Sequence, residues 1–160
     1  MHARAAALIQ ELELQPHPEG GYYREVFRSA EQVQPLDDRA ARSALTTIYF
    51  LLVSGQQSRW HRVRSDEVWH FYEGEPLELF WTDGREPVKR ATLSTGAAGS
   101  RPVCVVPANC WQAARPAGAY ALVGCTVGPG FDFADFEMIS AGSPESEQLR
   151  ALGGAPDALF

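Results

Sequence analysis

Lysine is almost missing from this chain. Its 160 residues carry 13 arginines and one lysine, Lys89, against 20 acids, for a net charge of −6. That balance offers no basic face to a nucleic-acid backbone, so nucleic acid is set aside as a partner. Arginine suits fixed, bidentate contacts to anionic groups, but a GC-rich genome gives the same bias and is the plainer cause. Cysteine is scarce too. Cys104, Cys110 and Cys125 form no CxxC pair and leave an odd count, which excludes a disulfide framework. Cys104 and Cys125 sit in apolar runs and read as small core residues. Cys125 has no histidine near it in sequence to make it a nucleophile. No apolar run approaches the ~20 residues of a membrane span. The opening "MHARAAALIQELEL" lacks both a continuous apolar stretch and a clean cleavage site. The expectation is a cytoplasmic protein with no membrane partner. Internal repeats, low-complexity tracts and βαβ alternation are absent as well, and the last of these excludes a Rossmann-type fold.

What is present is a globular composition, 45% hydrophobic and 21% charged, at a length that suits one domain with a proper core. Residues 3–14, "ARAAALIQELEL", predict one amphipathic helix, with Leu8, Ile9 and Leu12 on one side and Pro16 and Pro18 ending it. The period then changes to that of strands. "YYREVFRS", "ALTTIYFLLV", "SRWHRV", "EVWHFY", "LELFWT", "VKRATLS", "VCVVPANCWQAAR" and "AYALVGCTV" are β-branched or aromatic and are divided by turn chemistry. Asp83-Gly84 is a hairpin signal. Residues 31–43 read as a loop. The tail from Ser140 carries a short helix from Pro144 and then frays. Short strands at this spacing predict an all-β sandwich or barrel.

The stretch "SRWHRVRSDEVWHFYEG" raises the functional question. Gly55, His61, Val63, Glu67 and Gly74 resemble the first motif of the cupin superfamily, in which a Gly, a His-x-His pair, a Glu and a second Gly recur at these intervals. Val63 stands where the second His belongs. Downstream, "VVPANCWQAAR" resembles the second cupin motif, with Pro107 and Asn109 at its Pro-x-Gly turn and Gln112 at its last His position. A wider resemblance runs through "HPEGGYYREVFRS", "FLLVSG", "HRVRSDEVWHFYEGEPLELF", "VVPANCWQAARP" and "LVGCTVGPGFDFADFEM". It is to the small cupin-like family of unknown function described as predicted sugar epimerases. The resemblance implies a cupin-type jelly-roll β-barrel (double-stranded β-helix) with a short N-terminal helix. It implies a single domain over 1–160, with a core of about 12–139 and a tail of 140–160. It also implies a homodimer, for which barrel edges needing protection give a second reason.

Strand alternation adds a reading of its own. If His61 points inward, so do Arg59 and Val63, while Trp60 and Arg62 point out. If Glu67 points inward, so do Trp69 and Phe71, while His70 and Tyr72 point out. Of the four cupin ligand positions only His61 and Glu67 keep strong donors, since Val63 donates nothing and Gln112 is a weak neutral one. No cofactor is therefore expected, and a labile divalent ion on His61, Glu67 and Gln112 is the lesser alternative. Acid–base chemistry is the stronger reading. His61 is the expected base, with Glu67 raising its basicity and fixing its tautomer. Tyr22, Tyr23 and Tyr49 are the phenols to consider as acid. Tyr49 is assigned that role, and alternation admits only one of Tyr22 and Tyr23. Expected contacts to a small-molecule ligand come from Tyr23, Arg59, Trp69, Phe71, Trp111 and Gln112, with Arg24 or Arg59 holding any anionic group such as a sugar-nucleotide phosphate. "FDFADF" is expected to pack Phe131, Phe133 and Phe136 inward with Asp132 and Asp135 solvated. His17 reads as a turn residue, and Glu19 stays open between turn and pocket. Three functions remain: a sugar epimerase or isomerase, a non-catalytic small-molecule binder, and a metal-dependent cupin enzyme. Fold alone does not choose among them.

Overall fold

The computed structural model describes residues 1–160. Helix α1 (Ala3–Glu11) is followed by strands β1 (Gln15–Pro16), β2 (Tyr22–Arg28), β3 (Gln32–Val33), β4 (Arg42–Ser43), β5 (Thr46–Val53), β6 (Ser58–Val63) and β7 (Asp66–Gly74). Then come β8 (Leu77–Thr82), β9 (Lys89–Leu93), β10 (Val103–Val106), β11 (Trp111–Pro116), β12 (Tyr120–Gly128), β13 (Phe136–Met138) and helix α2 (Pro144–Leu152). One sheet runs β1-β2-β5-β12-β7-β10 and a second runs β13-β6-β11-β8-β9, while β3 and β4 form a ribbon within the 31–43 segment. The pairs are antiparallel. From β5 to β13 the chain changes sheet at every step except the β8–β9 hairpin. This winding is the expected jelly roll.

Alternation along the strands makes an inside and two outsides. The inner faces meet in an apolar core that includes Phe50, Leu52, Trp69, Phe71, Leu77, Leu79, Leu93, Val106 and Val123. The outer face of the five-stranded sheet presents Trp60, Phe80 and Trp111, and these are covered by Leu149 of α2, Leu159 and Phe160. The tail therefore does not fray. Ser143 caps α2 at Ser146 N, and the last turns return to Trp60, because that aromatic face needs a cover. The outer face of the six-stranded sheet is covered at one end by Ala5 and Leu8 of α1, packed on Leu51, Val53, Tyr120 and Leu122. Beyond α1 its residues Tyr72, Val103 and Val105 remain exposed.

Helix α1 is shorter than the predicted 3–14. Gln15 must already pair with Tyr23, so the chain turns at Glu13, which takes a left-handed φ of 51°. No helix is long and apolar enough to cross a membrane.

Candidate functional site

At one end of the interior the apolar packing stops and a cavity of about 780 Å³ opens. Its wall is built by inward positions of four strands: Thr46, Ile48 and Phe50 of β5, His61 and Val63 of β6, Glu67 of β7, and Cys125 and Val127 of β12. His17, Glu19 and Tyr23 close one side, and Phe131, Phe133 and Phe136 stand at the mouth.

Glu19 and His17 arrive on the turn "HPEGG". Both glycines are required there. At Gly20 (φ 113°) an added Cβ would lie 2.1 Å from the Gln57 carbonyl oxygen, and at Gly21 (φ 76°) one would lie 2.7 Å from that of Leu51. No side chain fits, so the turn presses against its neighbours and drives Glu19 inward. The Ser58 hydroxyl donates to Glu19 Oε1 at 2.7 Å. Glu19 Oε2 lies 3.2 Å from His61 Nε2 and 3.6 Å from His17 Nδ1.

The proton on this cluster follows from the hydrogen bonds. His61 Nδ1 is 2.7 Å from the Arg59 carbonyl oxygen, which can only accept, so Nδ1 carries hydrogen. His17 Nδ1 accepts the Glu19 backbone N–H at 3.2 Å, so that nitrogen is a lone pair. Burial pushes His17 down to about 4 and Glu19 up to about 8. Burial also lowers His61, against the raising pull of Glu67 and of the bond to Arg59. Both members of the Glu19–His61 pair thus favour their neutral forms. Burial favours the neutral acid of Glu19 at neutral pH, its Oε2 facing the His61 Nε2 at 3.2 Å.

Glu67 is the second buried acid. Burial raises its pKa, with the charge of Glu19 adding to the effect. Its Oε2 accepts from Gln112 Nε2, and Gln112 Oε1 accepts from Trp69 Nε1–H at 3.0 Å. This chain of bonds divides the cavity from the apolar core. Cys125 stands beside Glu67, and burial holds its thiol well above its ordinary value, which suits a wall residue.

The structure brings together part of the predicted set. His61, Glu67 and Tyr23 line the cavity, but the direct partner of His61 is Glu19, not Glu67. Tyr23, not Tyr22, faces inward, with its ring edge-on to His17 at 4.5 Å, while Tyr22 packs with α1. Tyr49 does not reach the cavity. It sits between Ile48 and Phe50 on β5, so alternation turns it outward, where its ring meets Tyr72 at 6.3 Å. Trp111 also faces outward, under the Arg62 guanidinium at 4.6 Å. Its neighbour Gln112 faces in, and adjacent strand residues cannot share a face.

Arg59 is turned out by a β-bulge. Gln112 pairs with His61 and Ala114 with Ser58, so β6 spends one residue more than β11 over the same span. The extra residue breaks the alternation, brings Ser58 inward and leaves Arg59 exposed, its Nη2 donating to the Pro18 carbonyl oxygen at 2.6 Å. Trp69, Phe71 and Gln112 are inward but lie behind the cavity wall. His70 is on the outer side of β7.

Asp135 is not solvated. It is 5% exposed, accepts from Arg42 Nε and Nη2 at 2.9 Å each and from Arg39 Nη1 at 3.2 Å, and so anchors the aromatic mouth to the 31–43 segment. That segment itself contributes no residue to the cavity wall. In the sequence, only the paired glycines Gly20 and Gly21 point to the buried position of Glu19.

The residues at the cupin ligand positions do not fit a metal. Val63 has no donor atom. Gln112 uses its oxygen on Trp69 and its nitrogen on Glu67, and His61 Nε2 is engaged by Glu19.

Residues 6–139 match the family model described as Cupin superfamily (DUF985). A protein of known structure from Shewanella oneidensis is similar at 38% identity, over 85% of this chain and 84% of that one, with a TM-score of 0.76. A hypothetical protein from Leishmania major is similar at 36% identity, over 85% and 87%, with a TM-score of 0.77. Oxalate decarboxylase from Bacillus subtilis shares 12% identity over 78% of this chain and 29% of that one, TM-score 0.57, a likeness of fold alone. No curated protein matches this chain.

Proposed function

The chain belongs to the DUF985 family of the cupin superfamily, and on that footing we propose that it binds a small polar metabolite in the cavity and moves a proton on it, as an epimerase or isomerase of a keto-sugar does. The observation that carries this reading is the buried Glu19–His61 pair at the cavity wall, with Oε2 and Nε2 3.2 Å apart. A base of this kind is tuned by burial toward neutral pH. Once Glu19 has lost its proton, Nε2 is free to take hydrogen from a carbon next to a carbonyl. The C–H bond breaks, its electron pair moves into the enolate, and the proton comes to rest between Nε2 and Glu19. The Arg59 carbonyl holds Nδ1–H in place and the Glu19 carboxylate stabilises the imidazolium. Tyr23 takes the part first assigned to Tyr49, as the phenol able to donate to the carbonyl oxygen. Return of the proton completes the isomerisation. No metal enters these steps.

The test is solvent deuterium wash-in across a panel of keto-sugars. Exchange by the wild type that rises with pH through about 8 and is lost in His61→Ala and Glu19→Gln supports the mechanism. Exchange that survives in both variants removes the pair from it. Binding without exchange throughout the panel makes the protein a non-catalytic binder.

A second copy of the chain is the proposed cover for the bare part of the six-stranded sheet. Tyr72 and Val105 are each 50% exposed there and Val103 42%. Tyr72 lies flat across Gly124, with its hydroxyl 2.2 Å from where a Cβ would stand. Exposed apolar side chains gathered on one sheet face support this reading. Light scattering is expected to show a dimer that Val103→Glu with Val105→Glu dissociates, and a monomeric wild type at micromolar concentration would refute it.

A further inference from the structure

The charge on the cavity wall points to the class of ligand. Five carboxyl groups line it: Glu13, Glu19, Glu25, Glu67 and Asp132. Two arginines and no lysine oppose them. Neither arginine is free. Arg28 places Nε and Nη2 on the two oxygens of Glu25 at 2.9 and 2.8 Å, and the same Nη2 donates to the Phe131 carbonyl oxygen at 3.0 Å. Arg24 Nη1 lies 2.6 Å from Glu13 Oε2. Arg59 is held outside by Pro18, and both histidines are driven toward their neutral forms by burial.

An anionic group entering this space would find no free cation and would have to break a two-pronged Arg–carboxylate fork to find a partner. The mouth instead offers rings. Phe131, Phe133 and Phe136 stand edge to face, with centroids 5.0 to 6.0 Å apart, and rings of this kind suit the C–H faces of a neutral polyol. We propose that the ligand of this cavity is an uncharged, unphosphorylated sugar or related polyhydroxylated carbonyl compound, and that phosphate esters and nucleotide-linked sugars are excluded because both arginines of the wall are already held by its carboxylates. This rests on the proposed function and sharpens it. It also turns away from the sugar-nucleotide phosphate that Arg24 or Arg59 was first expected to hold.

The experiment is calorimetric titration of the whole protein with a panel of free ketoses and aldoses, each paired with its own phosphate ester. The expected result is at least tenfold tighter binding of the free sugar in the pairs that bind, with the gap shrinking at high salt. Glu25→Gln, at a half-exposed position, frees Arg28 and is expected to narrow the gap at least threefold by raising affinity for the ester alone. Tighter binding of the esters by the wild type overturns this inference and leaves the proton-transfer reading standing. An unchanged gap in Glu25→Gln overturns the assignment of the exclusion to the Arg28–Glu25 fork. Binding of neither member of any pair overturns the proposed function, and this inference with it.

Discussion

The two ends of the interior are made by the same strands, yet one is packed solid and the other is hollow. Along β5, Thr46 and Ile48 face the cavity while Leu52 enters the core; along β7, Glu67 faces the cavity while Trp69 and Phe71 enter the core. The change takes one inward step. On one side of it stand aliphatic and aromatic side chains, and on the other two buried acids and two neutral histidines. The packed end supplies the stability that the hollow end lacks, since buried acids without a cationic partner oppose folding. Rigidity of the packed end also fixes Glu67, because the Trp69–Gln112–Glu67 bonds cross the boundary.

The comparison breaks most visibly at Trp69. Trp69→Ala is expected to lose ~3–5 kcal/mol by denaturant titration, from the cavity it leaves and from an orphaned Gln112 oxygen. Phe133→Ala, in the hollow half and 53% exposed, is expected to lose under ~1 kcal/mol. Equal losses would show that the two ends are not mechanically distinct.

Removing an acid should act in the opposite direction. Glu19→Gln is expected to abolish exchange while leaving stability unchanged or raised by ~1 kcal/mol. The pH dependence carries a definite sign. The Glu19 carboxyl has its folded pKa raised from 4.5 to about 8, so its contribution is fully present below 4.5 and is lost as pH rises to about 8. Melting temperature should fall as pH rises from 6.5 to about 8 in the wild type and fall less in Glu19→Gln. His17 works from the other side. Its pKa drops from 6.5 to about 4, so its contribution holds above 6.5 and is lost as pH falls toward 4. The two oppose each other between pH 4.5 and 6.5, where His17→Asn should expose a fall in melting temperature that the wild type lacks, and a wild-type profile flat from pH 6.5 to 8 would contradict the Glu19 assignment. The smallest effect belongs to Tyr49→Phe, expected to leave exchange within twofold of wild type while Tyr23→Phe lowers it at least tenfold.

Much of the fold was legible because two-residue alternation and turn residues are local signals. β6, β7 and β8 lie where "SRWHRV", "EVWHFY" and "LELFWT" placed them. The facing of His61 and Glu67 followed from the same rule, and so should that of Trp111 have done: assigning it to the pocket beside Gln112 breaks the alternation. Arg59 failed for a different reason. A bulge is set by how β6 pairs with β11, and pairing is not written in either strand alone. Glu19 depends on a contact between a turn and a strand far along the chain, of which only the paired glycines give local notice. Asp135 looked solvated because its acidity was visible, whereas Arg39 and Arg42, nearly a hundred positions earlier, were not.

The winding that changes sheet at nearly every step has a kinetic consequence. Glu19 lies before β2, His61 is on one sheet and Glu67 on the other, so no hairpin or single sheet contains the three together. Local pairs form early and distant ones late, and folds dominated by such non-local pairing take roughly milliseconds to seconds. The Glu19–His61 pair and the space it faces are therefore expected to form late in folding. Both need the two sheets to close on each other, so a ligand of this cavity is expected to stabilise the folded molecule and not a partly folded one.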